Sequence, residues 1–376
     1  TRYIVLLTMT TDYQRLFLKD TPLIDVRAPV EFAQGAFPGA VNLPILNDAE
    51  RKDVGITYKQ KGPDVAVKLG YDLVSGTVKD TRIQAWISFI EEHPEVHLYC
   101  FRGGQRSRIA TQWLAMHGCA IPRIEGGYKA MRRFLIDRFR QPRNILVLGG
   151  QTGCGKTRLL WRAKNALNTV SIVDLEAIAH HRGSAFGPRP DPQPNQINFE
   201  NVLAISLMKC ANQPVLMEDE GRMIGRLNIP QPLQTAMKFA PLLVLTATDD
   251  ERVEITWKEY IVDQLDELTR IFGEDKAHSY HRNMLLGSLD AIRKRLGGLR
   301  HHELRQTMNA GFNAQEQGDL DLHRDWIRRL LTEYYDPMYD YQLSQKVDRV
   351  VFTGSWDEIL AWLGSDRVHS LANHRH

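Results

Sequence analysis

Cysteine is scarce in this chain. Four residues in 376, Cys100, Cys119, Cys154 and Cys210, are too few for a disulfide framework, so free thiols in a reducing, cytoplasmic setting are expected. Long apolar runs are missing as well. No stretch approaches a membrane span, and the opening run Ile4–Leu7 is too short for the core of a secretory signal. There is no internal repeat and no low-complexity tract. Charge of one sign is barely in excess, at a net +3. That total names no partner, and only local clustering of basic residues could make a nucleic-acid surface. What the chain does have is 43% apolar and 25% charged residues, the balance of a globular protein, and enough length for two or three domains.

Residues 12–135 read as alternating short strands and helices. Strands are expected at Pro22–Val26, Val41–Pro44 and Val96–Tyr99. Apolar residues at helical spacing predict helices over Thr81–Glu92 and Ser107–His117. Gly127–Arg143 interleaves Lys129, Arg132, Arg133, Arg138, Arg140 and Arg143 with Met131, Phe134, Leu135 and Phe139, the pattern of a basic amphipathic helix. A second α/β unit opens at Asn144–Leu148, with later strands at Ser171–Asp174, Pro214–Met217 and Leu242–Thr246. Arg182–Gln196 has no periodicity and predicts a long loop, a frequent carrier of function. From Glu251 onward the pattern is helical and highly charged.

Two constellations carry chemistry. The first is Tyr99-Cys-Phe-Arg-Gly-Gly-Gln-Arg-Ser107, a cysteine at the end of a strand followed by a glycine-bearing loop and a helix. Inward-facing loop amides, the helix N-terminus and the arginines Arg102, Arg106 and Arg108 all favour thiolate over thiol. Cys100 is therefore expected to act as a nucleophile on an anionic donor of sulfur, selenium or phosphoryl.

The second is Gly150-Gln-Thr-Gly-Cys-Gly-Lys-Thr157, a full match to G-x-x-x-x-G-K-[ST] after an apolar strand. Gly150, Gly153 and Gly155 let backbone amides wrap a phosphate, Lys156 adds a point charge, and the Thr157 hydroxyl suits a magnesium ion. Cys154 is read as a small loop residue. Asp174 and Glu218-Asp-Glu220 end strands and are candidates to reach that ion through water; no direct protein ligand set for a metal is assigned. A P-loop alone leaves ATP hydrolysis, kinase chemistry and diphosphate binding open.

Residues 12–130 resemble the rhodanese family. Leu23–Phe32 matches its early Asp-x-Arg segment, Phe37–Pro44 its Pro-Gly-Ala strand, and Ile124-Glu-Gly-Gly127 its closing turn. The resemblance makes Cys100 the carrier of a persulfide or perselenide and leaves Asp25 and Arg27 as scaffold. The loop from Cys100 to Arg106 is one residue longer than in sulfurtransferases. Dual-specificity phosphatases share that length but place His before the cysteine, where this chain has Tyr99.

The fusion of such a domain to a P-loop domain and a basic helical tail resembles the bacterial tRNA 2-selenouridine synthases. His181–Gly187, Pro192–Asn201 and Glu218–Gly225 carry that match, with Gly221 standing where a serine is expected. The implied fold class is α/β: a rhodanese-like domain over 12–130, a basic helical linker over 131–143, a P-loop NTPase-like domain over 144–250, and a helical, basic region over 251–376. The implied enzyme geranylates wobble 2-thiouridine with geranyl diphosphate and replaces the sulfur by selenium from selenophosphate. Its partners are tRNA, the small phosphate donors and, as a candidate, selenophosphate synthetase.

Under that resemblance Cys100 relays selenium, and Arg106 with the loop amides holds the anion. Ser184, Phe186, Gly187, Glu218, Asp219 and Arg222 are expected to line the phosphate site, with Phe186 and Phe199 as candidates to receive the geranyl chain. Three basic segments are candidates for tRNA: Lys129, Arg132 and Arg133; Arg293, Arg295 and Arg300; and Arg328 with the tyrosines Tyr334, Tyr335, Tyr339 and Tyr341. The rival readings are a P-loop ATPase or kinase with a sulfurtransferase domain, a thiol phosphatase, and a non-catalytic RNA-binding module.

Overall fold

The computed structural model describes residues 9–141, 143–210 and 213–368. The early apolar run Ile4–Leu7 lies outside them. Two units emerge: one holds the described residues up to 141 together with 195–209, and the other holds the rest. Among the described residues, no helix is long and apolar enough to cross a membrane.

The first unit is built on a parallel sheet of five short strands, β1 (Met9–Thr10), β2 (Leu23–Asp25), β3 (Ala40–Asn42), β4 (His97–Tyr99) and β5 (Arg123–Ile124), in the order β1-β5-β4-β2-β3. β4 is central, and Leu98 and Tyr99 are fully buried, as a parallel strand covered on both faces requires. Helices Gly76–Glu92 and Gln105–Met116 stand where periodicity expected them. Helices Asp48–Lys61 and Pro63–Leu73 fill a stretch to which periodicity assigns no element.

The basic segment is helical over Gly127–Arg138. Helix Gln196–Lys209 also belongs to this unit. Three asparagines hold it there. Asn195 donates to Ala33 O (3.2 Å), Asn198 Oδ1 accepts from Ala36 N (2.8 Å), and Asn201 donates to Ala36 O (2.7 Å). A side chain at Gly35 would stand 2.4 Å from Ile197, so only glycine permits this docking. The Asn-rich stretch Pro192–Asn201 thus has a structural purpose.

The second unit carries the parallel sheet β12-β11-β6-β8-β7, from β6 (Ile145–Gly150), β7 (Ser171–Ile172), β8 (Val215–Glu218), β11 (Leu242–Leu245) and β12 (Val350–Gly354); β9 (Met223–Ile224) and β10 (Leu227–Asn228) form a separate antiparallel pair. β6 is central, and the chain moves to one side of it and then to the other. The carboxyl end of β6 therefore lies at a topological switch point, where open α/β sheets bind ligands.

The region beyond Glu251 is helical over most of its length, but it also supplies β12, which pairs with β11, and helix Trp356–Leu363. Val-Val-Phe-Thr is a short β-branched and aromatic run that helical periodicity conceals. The other C-terminal helices enclose their own apolar core around Leu285, Leu304, Phe312 and Trp326.

Candidate functional site

Cys100 follows the central strand β4 and is buried at 3% exposure. Its Sγ lies 3.2 Å from Ser107 Oγ, which donates to Gly104 O at 3.1 Å. Rotation of that hydroxyl would turn its proton to a thiolate. The Gly-Gly turn closes the loop from below. Tyr128 N donates to Cys100 O (2.9 Å) and Lys129 N to Phe101 O (3.0 Å). Gly127 has φ 56°, and a Cβ there would fall 2.2 Å from Cys100 O; backbone meets backbone, which only glycine allows.

Arg106 is placed differently from expectation. Its guanidinium forks onto Glu31, with contacts of 2.6 and 3.2 Å. Glu31 also accepts from Ala28 N and pairs with Arg51. Burial pushes the Glu31 carboxyl up, but the hydrogen bond and charge of Arg106 and the charge of Arg51 outweigh it and hold it below its ordinary range. Asp25 and Arg27 form a buried bidentate pair, with Arg27 over the Tyr128 ring at 3.8 Å, consistent with scaffold.

The P-loop has the geometry its sequence demands. Gly153 (φ 82°) and Gly155 (φ 83°) are left-handed, and side chains there would meet Thr256 Oγ1 at 2.5 Å and the Trp356 ring at 2.3 Å. Helix Lys156–Ala166 starts directly behind, aiming its positive end at the cradle. Lys156 Nζ donates to Gly150 O at 2.9 Å. Burial pushes Lys156 down, but the charges of Cys154, Glu176, Glu220 and Glu218 outweigh it and raise it. Cys154 is fully buried in the apolar cluster beneath the sheet, as a small structural residue.

Carboxyls converge on this cradle. Thr157 Oγ1 donates to Glu176 Oε2 at 3.2 Å. Glu220 and Glu176 crowd Gly183 together, since a Cβ there would stand 2.4 and 2.7 Å from their carboxyl oxygens. Burial first, then the neighbouring Glu176 charge, pushes Glu220 up to about 8, so the pair shares a proton at neutral pH. Glu218, at the end of β8, is fully buried, accepts from Leu175 N at 3.0 Å, and is pushed well up by burial. Asp174 caps helix Leu175–Ala179 and accepts from Trp161. Asp219 is bound to Lys346 at 2.6 Å.

Ser184 lines the cavity of about 360 Å³ that forms over the loop, and its Oγ lies 3.2 Å from the Tyr260 hydroxyl. Gly187 closes the Arg182–Gly187 turn. Arg222 is exposed and stands apart from the cavity lining. Phe186 is buried and stacks on Trp326 at 6.1 Å, in an apolar recess lined also by Ile327, Leu330 and Leu331 that shares Thr152, Ser184, Tyr260 and Tyr335 with the P-loop cavity. Phe199 is fully buried in the first unit.

Sequence reading passed over several residues here. Glu176, Arg182 and Tyr260 line the cavity, and buried Arg252 ties Thr152 O in the loop to Asp336. Arg182 lay inside a segment already singled out; the others stand on separate helices and carried no local signal. Tyr335 and Tyr339, named as candidates for tRNA, line the same cavity.

The basic candidates divide. Lys129, Arg133, Arg293 and Arg295 are exposed and in no ion pair among the described residues. Arg132 is paired with Glu200, Arg300 with Glu333 and Arg328 with Asp250. Of the tyrosines, Tyr335 and Tyr339 face the P-loop cavity and Tyr341 is 69% exposed.

Comparison with known proteins covers both units. The family model "tRNA 2-selenouridine synthase AAA domain" matches residues 143–370, and "Rhodanese-like domain" matches residues 10–133. Curated tRNA 2-selenouridine synthases are similar along the chain. The one from Hahella chejuensis is 51% identical over 92% of this chain and 91% of its own. Those from Marinobacter nauticus and Pseudomonas syringae pv. syringae are each 47% identical, over 95% and 94% of this chain and 97% of their own.

Proposed function

The chain belongs to the tRNA 2-selenouridine synthase family, and we propose that it is the cytoplasmic enzyme that replaces sulfur by selenium in tRNA, at a wobble 2-thiouridine. In this reading the two loops divide the work. The P-loop holds geranyl diphosphate while the tRNA sulfur attacks the geranyl C1. The C–O bond breaks and diphosphate leaves, giving an S-geranyl thioether. At the other loop the Cys100 thiolate takes the phosphoryl group of selenophosphate and the P–Se bond breaks. The selenide released bonds to C2, the C2–S bond breaks and geranyl thiolate departs. Water then frees the phosphoryl group from Cys100 as phosphate. Alkylation makes sulfur the better leaving group, which is why the first step is needed. Selenophosphate synthetase is the natural supplier of the donor.

The observation that carries this reading is the cavity of about 360 Å³ over the P-loop, whose walls combine the phosphate cradle with Met223, Met338 and the rings of Tyr260, Tyr335 and Tyr339. A diphosphate head would lie over Gly150–Thr157 and the hydrocarbon tail against the methionines and tyrosine rings of the same cavity, since the adjoining recess at Phe186 and Trp326, about 20 Å³, is too small for ten carbons. Lys156 and Arg182 would neutralise the diphosphate. Thr157 and Glu176 fit magnesium, which needs only one or two protein oxygens and keeps its waters; when bound, it would add charge neutralisation to the leaving diphosphate.

Calorimetry on the purified chain tests this directly. Geranyl diphosphate is expected to bind more tightly than inorganic diphosphate, and Lys156→Ala to weaken both. Equal affinity for the two, with tighter binding of ATP, contradicts the reading.

A further inference from the structure

A second apolar cavity lies in the first unit, beside the cysteine loop. Its volume is about 220 Å³. Its walls come from helices Asp48–Lys61, Pro63–Leu73 and Gln105–Met116, the last of these being the helix into which the Cys100 loop runs. Ile45, Leu46, Val74 and Trp113 line it and belong to the same buried cluster as Cys100. Arg106 is the one charged side chain in the lining, and it is already neutralised by Glu31. Exposed Tyr58 and Tyr71 stand at the rim.

Apolar surface of this kind, left open in a unit with its own complete core, calls for an apolar occupant. The lining offers almost nothing to a polar ligand, since phosphate or sugar would meet one satisfied guanidinium. Size narrows the choice further. A dry cavity of about 150 Å³ accommodates benzene, so this one suits a hydrocarbon of about nine or ten carbons.

We infer that this cavity holds the alkyl chain of the S-alkylated tRNA intermediate while its base stands at the Cys100 loop. The inference rests on the proposed function, in which that intermediate must travel from the P-loop to the cysteine. No bond changes inside the cavity. It seats the chain so that C2 faces the selenium. Specificity follows, because a longer chain seats the base better than a methyl group does.

The test uses the full chain, selenophosphate, and anticodon stem-loop RNAs carrying either S-geranyl- or S-methyl-2-thiouridine, with selenouridine measured by mass. Wild-type enzyme is expected to convert the geranylated RNA faster. Val67→Phe and Ile109→Phe, which fill the cavity from two walls, are expected to slow the geranylated RNA by at least about tenfold, since most of the chain's apolar burial is lost, while leaving the methylated RNA at its wild-type rate. That retained rate also shows that the variants fold. Equal slowing of both RNAs, or of neither, overturns the assignment alone. Failure of the wild-type enzyme to convert either RNA overturns the functional reading together with it. A change of sedimentation in Val67→Phe with both RNAs unaffected assigns the face to a second copy and likewise overturns it.

Discussion

The carboxyl pair Glu176–Glu220 shows how far single residues can depart from their ordinary behaviour. Glu220 is held protonated to about pH 8 by burial and by Glu176. The folded chain therefore binds a proton that the unfolded chain releases near 4.5. Between those values the native state carries more protons, so stability falls as pH rises from about 5 to 8. Thermal unfolding across that range should show the decline in the wild type and a flatter profile in Glu220→Gln; parallel profiles would contradict the assignment. Cys100 and the P-loop glycines were legible in the sequence because each is demanded by backbone geometry or by thiolate chemistry at a fixed spacing. Glu176 was not, since it stands 19 residues beyond Thr157 on another element and meets it only in the fold. Arg106 was legible as a cation near the cysteine, but its engagement with Glu31 depends on a helix 75 residues earlier.

At the level of elements, the P-loop is held from behind by the C-terminal region. Arg252, 1% exposed, donates to Thr152 O at 3.0 Å and forks onto Asp336, the first residue of helix Asp336–Ser344. Removing the acid leaves a buried guanidinium with only exposed Asp249 as a charged partner, a change that typically costs about 3 kcal/mol. Asp336→Ala is thus expected to lower the unfolding free energy of the second unit by that order, and Arg252→Met with Asp336→Leu to recover part of it. An unchanged denaturant midpoint in Asp336→Ala would show that the clamp contributes nothing. The strands of both sheets were largely legible as short apolar runs ending in functional loops. Strand β12 was not, because the helical and charged character of its flanks dominated the pattern. Nor was the docking of helix Gln196–Lys209 in the first unit, which Gly35 and three asparagines secure through contacts no local window contains.

The whole molecule joins two chemically distinct loops in one chain. One places Cys100 at the end of β4, and the other shapes the P-loop at the end of β6, each at the centre of a parallel sheet. That pairing suits a reaction in two stages, alkylation of sulfur and then its displacement, better than either loop would suit it alone. Lys129 and Arg133 in the first unit and Arg293 and Arg295 in the second are exposed and in no ion pair among the described residues, and we propose them as contacts for an RNA backbone. The most direct measurement is nucleoside mass analysis of 2-thiouridine tRNA incubated with geranyl diphosphate, selenophosphate and either the wild-type chain, Cys100→Ser or Lys156→Ala. The division of labour predicts selenouridine with the wild type, accumulated S-geranyl-2-thiouridine with Cys100→Ser, and unmodified 2-thiouridine with Lys156→Ala. Normal selenouridine from Cys100→Ser would contradict it.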